Sequence, residues 1–264
     1  MIRSYFGLTE NPFSVEHITL LPHQQEIYDI IQVHSQQGGL CLVMGEPGTG
    51  KSVIKEAIQQ GASKRMTVVS IARTLHTYTN TVKILCNAFN IEFDGVSFKC
   101  EKRLIEEAFS LNRQGKMLIT IIDDAHLMEM QTLRKLRLLF EDFPKNHNII
   151  LSGQPELIYN MSLKVNDDLK SRVTFSTLMP KLNQDQIQEF IFRQLDRVQL
   201  AHNSFSEDAL SLIIRSSEGV LRKTRNLCLS CLLETVRLRK RIVELDTVNR
   251  VLMQPHWRTQ QDME

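Results

Sequence analysis

The chain has 264 residues, room for one large domain or two unequal ones, and 42% of them are apolar, enough for a substantial core. Thirty-two Lys and Arg against 30 Asp and Glu leave a net charge of +2, which excludes a strongly acidic solubiliser and a histone-like polycation. It does not exclude nucleic-acid binding through a local patch.

Residues 1–25 are aromatic-rich, with a turn at Asn11–Pro12 and no apolar signal-peptide core. Apolar runs and amphipathic stretches then alternate. Strands are predicted at Leu40–Met44, Met66–Ala72, Met117–Ile122, Ile149–Leu151 and Val173–Leu178. Helices are predicted at Ser52–Gln60, Leu75–Phe89 and Lys102–Leu111, and Leu133, Leu136, Leu139 and Phe140 share a further helical face. Strands alternating with helices imply a parallel sheet covered on both faces. After Pro180 the pattern becomes purely helical, at Gln184–Leu200, Ser206–Ser217, Arg222–Leu238 and Asp246–Met253. A domain boundary is expected near Pro180–Asn183, and the polar residues from Pro255 are expected to be loose. No apolar run reaches the roughly 18 residues of a transmembrane helix. The five cysteines, Cys41, Cys86, Cys100, Cys228 and Cys231, are odd in number and too scattered for a disulfide scaffold. The expectation is a cytoplasmic protein with no membrane partner.

Residues 45–52, GEPGTGKS, fit the phosphate-loop pattern G-x-x-x-x-G-K-[ST]. Glycines there let successive backbone N–H groups turn toward phosphate oxygens, and the N-terminus of the next helix adds partial positive charge. Gly45, Glu46, Pro47, Gly48, Thr49, Gly50, Lys51, Ser52 and Val53 are the candidate nucleotide contacts. Lys51 reaches for the β- and γ-phosphates, and Ser52 for Mg²⁺. The loop follows a buried strand and precedes a helical run, the context such a loop requires.

The apolar run Met117–Ile122 ends in Asp123 and Asp124. Asp123 is the candidate second support of Mg²⁺, and Asp124 the candidate carboxylate that polarises the attacking water. A pair of acids capping the next helix is the simpler alternative.

Together these pieces resemble an AAA+ ATPase of the ExeA/GspA-like group, to which the transposon ATPases TnsC, TniB and IstB are more distantly related. The resemblance rests on YFGLTENPF at residues 5–13, the loop at 45–52, IDDAHL at 122–127, LSGQPEL at 151–157 and GVLR at 219–222, in the family's order. It implies a P-loop α/β domain of RecA-like parallel-sheet type at residues 26–180 and a small all-helical lid domain at 181–254. Residues 1–25 would pack near the nucleotide, and ATP and Mg²⁺ are the implied cofactors. Ser152 falls at the sensor 1 position, with Gln154 as the nearby alternative and an ordinary strand-end polar residue as the simpler reading. Arg172 matches the arginine finger that a neighbouring subunit supplies, against a surface salt bridge. Arg222 matches the lid arginine called sensor 2, although Leu221 stands where the family often has Pro. Asp124 stands where most such ATPases carry Glu; the shorter side chain implies slow turnover. Phe6 and Phe13 lie in the segment that in relatives packs near the adenine, or else form a core-covering aromatic pair.

Cys228 and Cys231 have a metal-like spacing, but in an apolar run they read as buried helical cysteines. His126, beside the acid pair, reads as a packing or hydrogen-bonding residue. Basic residues cluster at 215–241, eight against two Glu, and at 64–103, seven against three acids. Such runs are usually solvated faces. In an oligomer, one patch repeated on every subunit lines a track for double-stranded DNA, with Lys99, Lys102 and Arg103 as candidate contacts. The expected function is a self-assembling ring or filament on DNA that recruits or activates a transposase or integrase. The secretion-assembly ATPases of the group are longer, with a transmembrane segment and a periplasmic wall-binding part. The chain shows neither, which favours the DNA reading; a nucleotide-switched scaffold is the third.

Overall fold

The computed structural model describes residues 1–14, 19–62, 65–71, 77–95 and 97–257. They form two compact units: residues 19–179, and residues 1–18 together with 180–264. In chain order the elements are α1 (Ile2–Phe6), α2 (Pro22–Gln37), β1 (Gly39–Met44), α3 (Lys51–Gln60), β2 (Met66–Ile71), α4 (Tyr78–Ala88), α5 (Ser97–Arg113), β3 (Met117–Ile122), α6 (Met130–Glu141), β4 (Asn148–Gly153), α7 (Glu156–Ser162), α8 (Asp167–Lys170) and β5 (Val173–Leu178). Helices α9 (Gln184–Arg197), α10 (Glu207–Ser217), α11 (Leu221–Arg237) and α12 (Leu245–Leu252) follow.

The first unit is a five-stranded parallel sheet in the order β2-β3-β4-β1-β5. Its inner strands are nearly unbroken apolar runs because both faces are covered. The alternation of the strand sends Leu40, Leu42 and Met44 to one face, against Leu104 of α5 and Leu133 and Leu136 of α6. Cys41 and Val43 point to the other face, against Ile27 and Ile31 of α2 and Ile54 and Ile58 of α3. Register places the ends of β1, β3 and β4 together: Met44 lies beside Gly153, and Ile122 beside Leu151. The loops that follow these strands therefore share one rim of the sheet.

All five strands fall where the apolar runs predict them. Helix α4 starts later than the predicted Leu75, at Tyr78, because Thr77 caps it by accepting from the Asn80 N–H at 3.4 Å. Residues 72–76 lie outside the described residues. Helix α2 carries no prediction at all. Its buried stripe is Gln24, Ile27, Ile31 and Ser35, half of it polar, so the hydrophobic periodicity that marks a helix is diluted. Gln24 is buried because its side chain accepts from the Leu21 N–H at 2.9 Å, satisfying one free donor of the helix start.

The second unit holds α1 and helices α9 to α12. It begins at Pro180, at the edge of the predicted boundary, and α9 opens with a reciprocal cap: Gln186 N–H donates to Asn183 Oδ1 at 2.8 Å, and Asn183 N–H to Gln186 Oε1 at 3.0 Å. The single N-terminal segment at 1–25 is corrected. Residues 1–18 group with the helices, tied by Arg241 Nη1 donating to Tyr5 O at 2.8 Å and Arg197 Nη2 to Asn11 O at 3.3 Å, whereas Pro22 already starts α2. Phe13 is buried at 2% exposure in this unit and Phe6 packs edge-on to Tyr5, which fits the core-covering alternative for the pair. Cys228 and Cys231 are fully buried on α11, and burial pushes the Cys231 thiol up to about 12.

Gly219 joins α10 to α11 at φ +77°, and a Cβ there would stand 2.5 Å from the Leu182 carbonyl oxygen. That approach is held by Leu182 N–H donating to Gly219 O at 2.9 Å. Gly219→Ala is expected to destabilise the helical unit by about 1–3 kcal/mol, the cost of a left-handed non-glycine residue with a backbone clash. Urea unfolding followed by circular dichroism checks it, and an unchanged midpoint refutes the close approach.

Candidate nucleotide site

Beyond Met44 the chain enters a tight loop. Gly48 at φ 86° and Gly50 at φ 106° occupy left-handed conformations that favour glycine. Gly45 is required by space: a Cβ there would meet Thr49 Oγ1 at 2.7 Å and Met179 Cβ at 2.9 Å. Thr49, 2% exposed, pins the turn by donating its hydroxyl to Glu46 O at 2.9 Å. Lys51, the first residue of α3, folds back and donates from Nζ to Gly45 O at 2.7 Å and Glu46 O at 2.9 Å. Glu46 and Pro47 are exposed on the rim, as is Ser52 in the first turn of α3. That turn carries no acid to compensate the helix dipole. The Val53 N–H is spent on Gly50 O at 3.0 Å, as in the loop the Thr49 N–H is on Glu46 O at 3.3 Å.

Two strands away, Asp123 follows β3. Its carboxylate is largely buried, and Oδ2 accepts from Lys55 Nζ at 2.5 Å. Burial alone pushes this carboxyl up, but the Lys55 ammonium and the Asp124 N–H, donating at 3.0 Å, outweigh it and hold Asp123 below the ordinary carboxylate range. The Ser152 hydroxyl adds a weaker pull of the same sign, although it makes no hydrogen bond of acceptable geometry. Lys55 is a site residue that no motif flags. It stands one turn after Lys51 on the same helix, and that spacing is the only signal for it. An ionised carboxylate, a serine hydroxyl, a lysine on the loop and an open helix N-terminus are the donor set that a nucleoside triphosphate with Mg²⁺ takes. A bound cation would neutralise phosphate charge, with Ser52 and Asp123 as the residues that would hold it and Lys55 as the present partner of Asp123.

The AAA domain family matches residues 33–161. These residues contain the loop, the acid pair and four of the five strands. The match is to an AAA domain over just under half of the chain. The chain's fold is that of an AAA+ ATPase, a class that uses ATP with Mg²⁺. The chain is 25% identical over 238 residues to General secretion pathway protein A of Aeromonas hydrophila, covering 86% of this chain and 44% of that protein; it spans less than half of this relative. Among solved structures, Cdc6p of Pyrobaculum aerophilum superposes with a TM-score of 0.69 at 17% identity, covering 89% of this chain and 68% of that one. ORC1 of Aeropyrum pernix in complex with DNA gives 0.68 at 13%, covering 90% and 67%.

Within the AAA domain, Asp124 is exposed and left-handed at φ 50°, a conformation Asp tolerates better than most residues. Ser152, 3% exposed, is the next-to-last residue of β4, beside Val43. Gln154 is engaged elsewhere: its Nε2 lies 2.9 Å from His126 Nε2, which gives His126 the hydrogen-bonding role expected of it. Of the two sensor candidates, Ser152 has the free hydroxyl. Arg172 lies just before β5, outside the matched residues. It is 57% exposed, and its Nη2 pairs with Glu141 Oε1 at 2.8 Å. Arg222 is exposed at the second position of α11 in the helical unit. Burial and the neighbouring Arg222 charge both lower the Arg225 pKa, so the two guanidiniums repel each other at the start of that helix. Lys99, Lys102 and Arg103 are all exposed on α5. Lys102 approaches Glu106 at 3.9 Å and Arg103 reaches Glu92 O at 3.5 Å, so two of the three are partly occupied locally. In the second basic cluster Lys223, Lys240 and Arg237 pair with Glu218, Glu244 and Glu234.

No helix among the described residues is long and apolar enough to cross a membrane.

Proposed function

We propose that this chain is an ATP-hydrolysing AAA+ switch that assembles with copies of itself on double-stranded DNA, in the cytoplasm, and there recruits or activates a transposase or integrase. The observation that carries the ATPase part is the pairing of the Lys51 loop with an Asp123 carboxylate held ionised on the same rim of the sheet. In this reading Ser52 and Asp123 hold Mg²⁺, Asp124 polarises the attacking water and Ser152 orients it. Arg172 serves the site of the adjacent copy, and Arg222 reads the γ-phosphate from the lid. Asp124→Asn should keep ATP binding and lower turnover about 10²–10⁴-fold, the usual contribution of a positioned base. A phosphate-release assay on the purified variant checks it, and unchanged turnover removes Asp124 from the reaction.

The DNA part is supported by the fold shared with an ORC1 that was solved on DNA. It is tested by titrating duplex DNA against salt with ATP, with ADP and without nucleotide. Binding should tighten with ATP, weaken steeply with salt and ignore sequence, because phosphates rather than base edges are read. Neutralising Lys102 and Arg103 together should weaken all sequences alike. Equal, weak binding in the three states at low salt overturns the DNA reading. It would favour the second reading, a secretion-assembly ATPase, for which the identity to General secretion pathway protein A speaks.

A further inference from the structure

A cavity of about 460 Å³ lies between α6 and the sheet of the α/β unit. It runs from the rim opposite the nucleotide loop, where Gly39 and Leu40 at the start of β1, Ile149 near the start of β4 and Thr174 near the start of β5 line it, to Ile122 at the end of β3. Its volume falls within the roughly 300–1,000 Å³ of small-molecule sites. The walls are apolar, with Leu133, Leu136, Phe140, Met161 and Leu169 among them. The charged groups are three cations and one carboxylate, with His147, Ser171 and Thr174 beside them.

Arg137, Lys145 and Arg172 line the cavity against a single carboxylate, Glu141. Both arginines share one oxygen of it: Arg137 Nη1 donates to Glu141 Oε1 at 2.9 Å and Arg172 Nη2 to the same atom at 2.8 Å. Arg137 Nε is buried without a hydrogen bond, its nearest acid being Asp168 Oδ2 at 3.9 Å. Lys145 has no ion pair among the described residues and stands exposed. Deeper in, His147 is 6% exposed. Its Nε2 meets Thr120 Oγ1 at 2.9 Å, and its Nδ1 is buried with no partner among the described residues. Burial pulls the imidazole down to about 3, so it stays neutral and supplies a hydrogen-bonding point without a second charge. Two buried polar atoms with no hydrogen bond among the described residues, on side chains that line a mostly apolar cavity with surplus positive charge, are an unusual arrangement for a fold to carry without an occupant.

We propose that this cavity binds a small amphipathic anion, an apolar chain ending in a carboxylate. The chain lies against Leu133, Leu136 and Met161, and the carboxylate takes the Arg137 fork and Lys145 in competition with Glu141. A polar metabolite would leave its own groups unpaired on the apolar walls, and a neutral chain would leave the cationic end unmatched. Taking Arg137 from Glu141 leaves Arg172 as the remaining partner of that carboxylate. Any effect on turnover through Arg172 rests on the finger reading above, whereas binding does not.

The test is made on the full chain without nucleotide, carrying ¹³C-methyl methionine, titrated with decanoate and separately with decanol. The Met161 methyl should shift saturably with decanoate at one equivalent per chain. Arg137→Met combined with Lys145→Met should weaken decanoate about tenfold or more, the loss of charge-assisted hydrogen bonds, and leave decanol within about twofold. Leu133→Trp, which fills the cavity, should abolish the shift. If that variant fails to fold by circular dichroism, the charge variant decides alone. An unmoved Met161, or decanoate affinity unchanged in the Arg137 and Lys145 variant, overturns the proposal and leaves a cavity that holds water only. ATPase activity is read separately, so failure of the nucleotide reading leaves the methyl result standing.

Discussion

Lys51→Ala is expected to weaken ATP binding by orders of magnitude while leaving the protein folded. Lys51 Nζ bridges Gly45 O and Glu46 O, which fixes the ammonium at the mouth of the loop before any phosphate arrives. In an ATP complex those donors would turn to phosphate oxygens. Charge-assisted hydrogen bonds contribute about 1.5–3 kcal/mol each, so losing two lowers affinity roughly 10²–10⁴-fold. The loop itself survives, because Thr49 Oγ1 on Glu46 O and Gly45 N–H on Gly153 O at 3.1 Å do not involve the lysine. Titration with a fluorescent ATP analogue measures the loss, and near-ultraviolet circular dichroism measures the fold. Affinity within tenfold of the unmodified protein would refute a phosphate role for Lys51.

Arg172→Ala has the second large effect, and it falls on turnover. The Arg172–Glu141 pair is more than half exposed on the arginine side, and Glu141 keeps Arg137 as a partner, so the fold loses no more than about 1 kcal/mol. A finger supplied in trans neutralises charge on the transferring phosphate and is worth about 10³-fold or more in rate. ATP affinity should stay within a few-fold, because the finger acts on the partner's nucleotide. Mixing this variant with Lys51→Ala should restore part of the activity: one protein brings a working pocket, the other a working finger. Mixed oligomers shown by light scattering to form, yet inactive at every ratio, would remove Arg172 from a shared site.

Lys55 connects these two experiments. It holds Asp123 ionised from a position eight-tenths buried, and in the proposed reading it would have to yield for that carboxylate to support Mg²⁺.

The nucleotide loop, the acid pair and the parallel sheet were legible from local chain properties. Glycines at 45, 48 and 50 are demanded by a turn a few residues long, and the strands are apolar runs whose type depends on nothing farther than the next turn signal. The helices of the second unit likewise show their own periodicity and caps, as Asn183 and Gln186 do for α9. What the tertiary structure decided lies in pairs far apart along the chain. Lys55 and Asp123 are 68 residues apart and meet through the order of the strands; Arg241 and Tyr5 are 236 apart and place the first 18 residues with the helices. Helix α2 was hidden because two of its four buried positions are polar, and Gln24 is an acceptable core residue only once its side chain has bonded the Leu21 N–H. No sequence motif marks His147; the sheet brings Thr120 to it and leaves its other nitrogen without a partner among the described residues, on a side chain that lines a cavity. Periodicity and motifs report on neighbours within a turn or two, whereas the partner that satisfies or strands a buried polar atom is set by sheet register and by which helix covers which face.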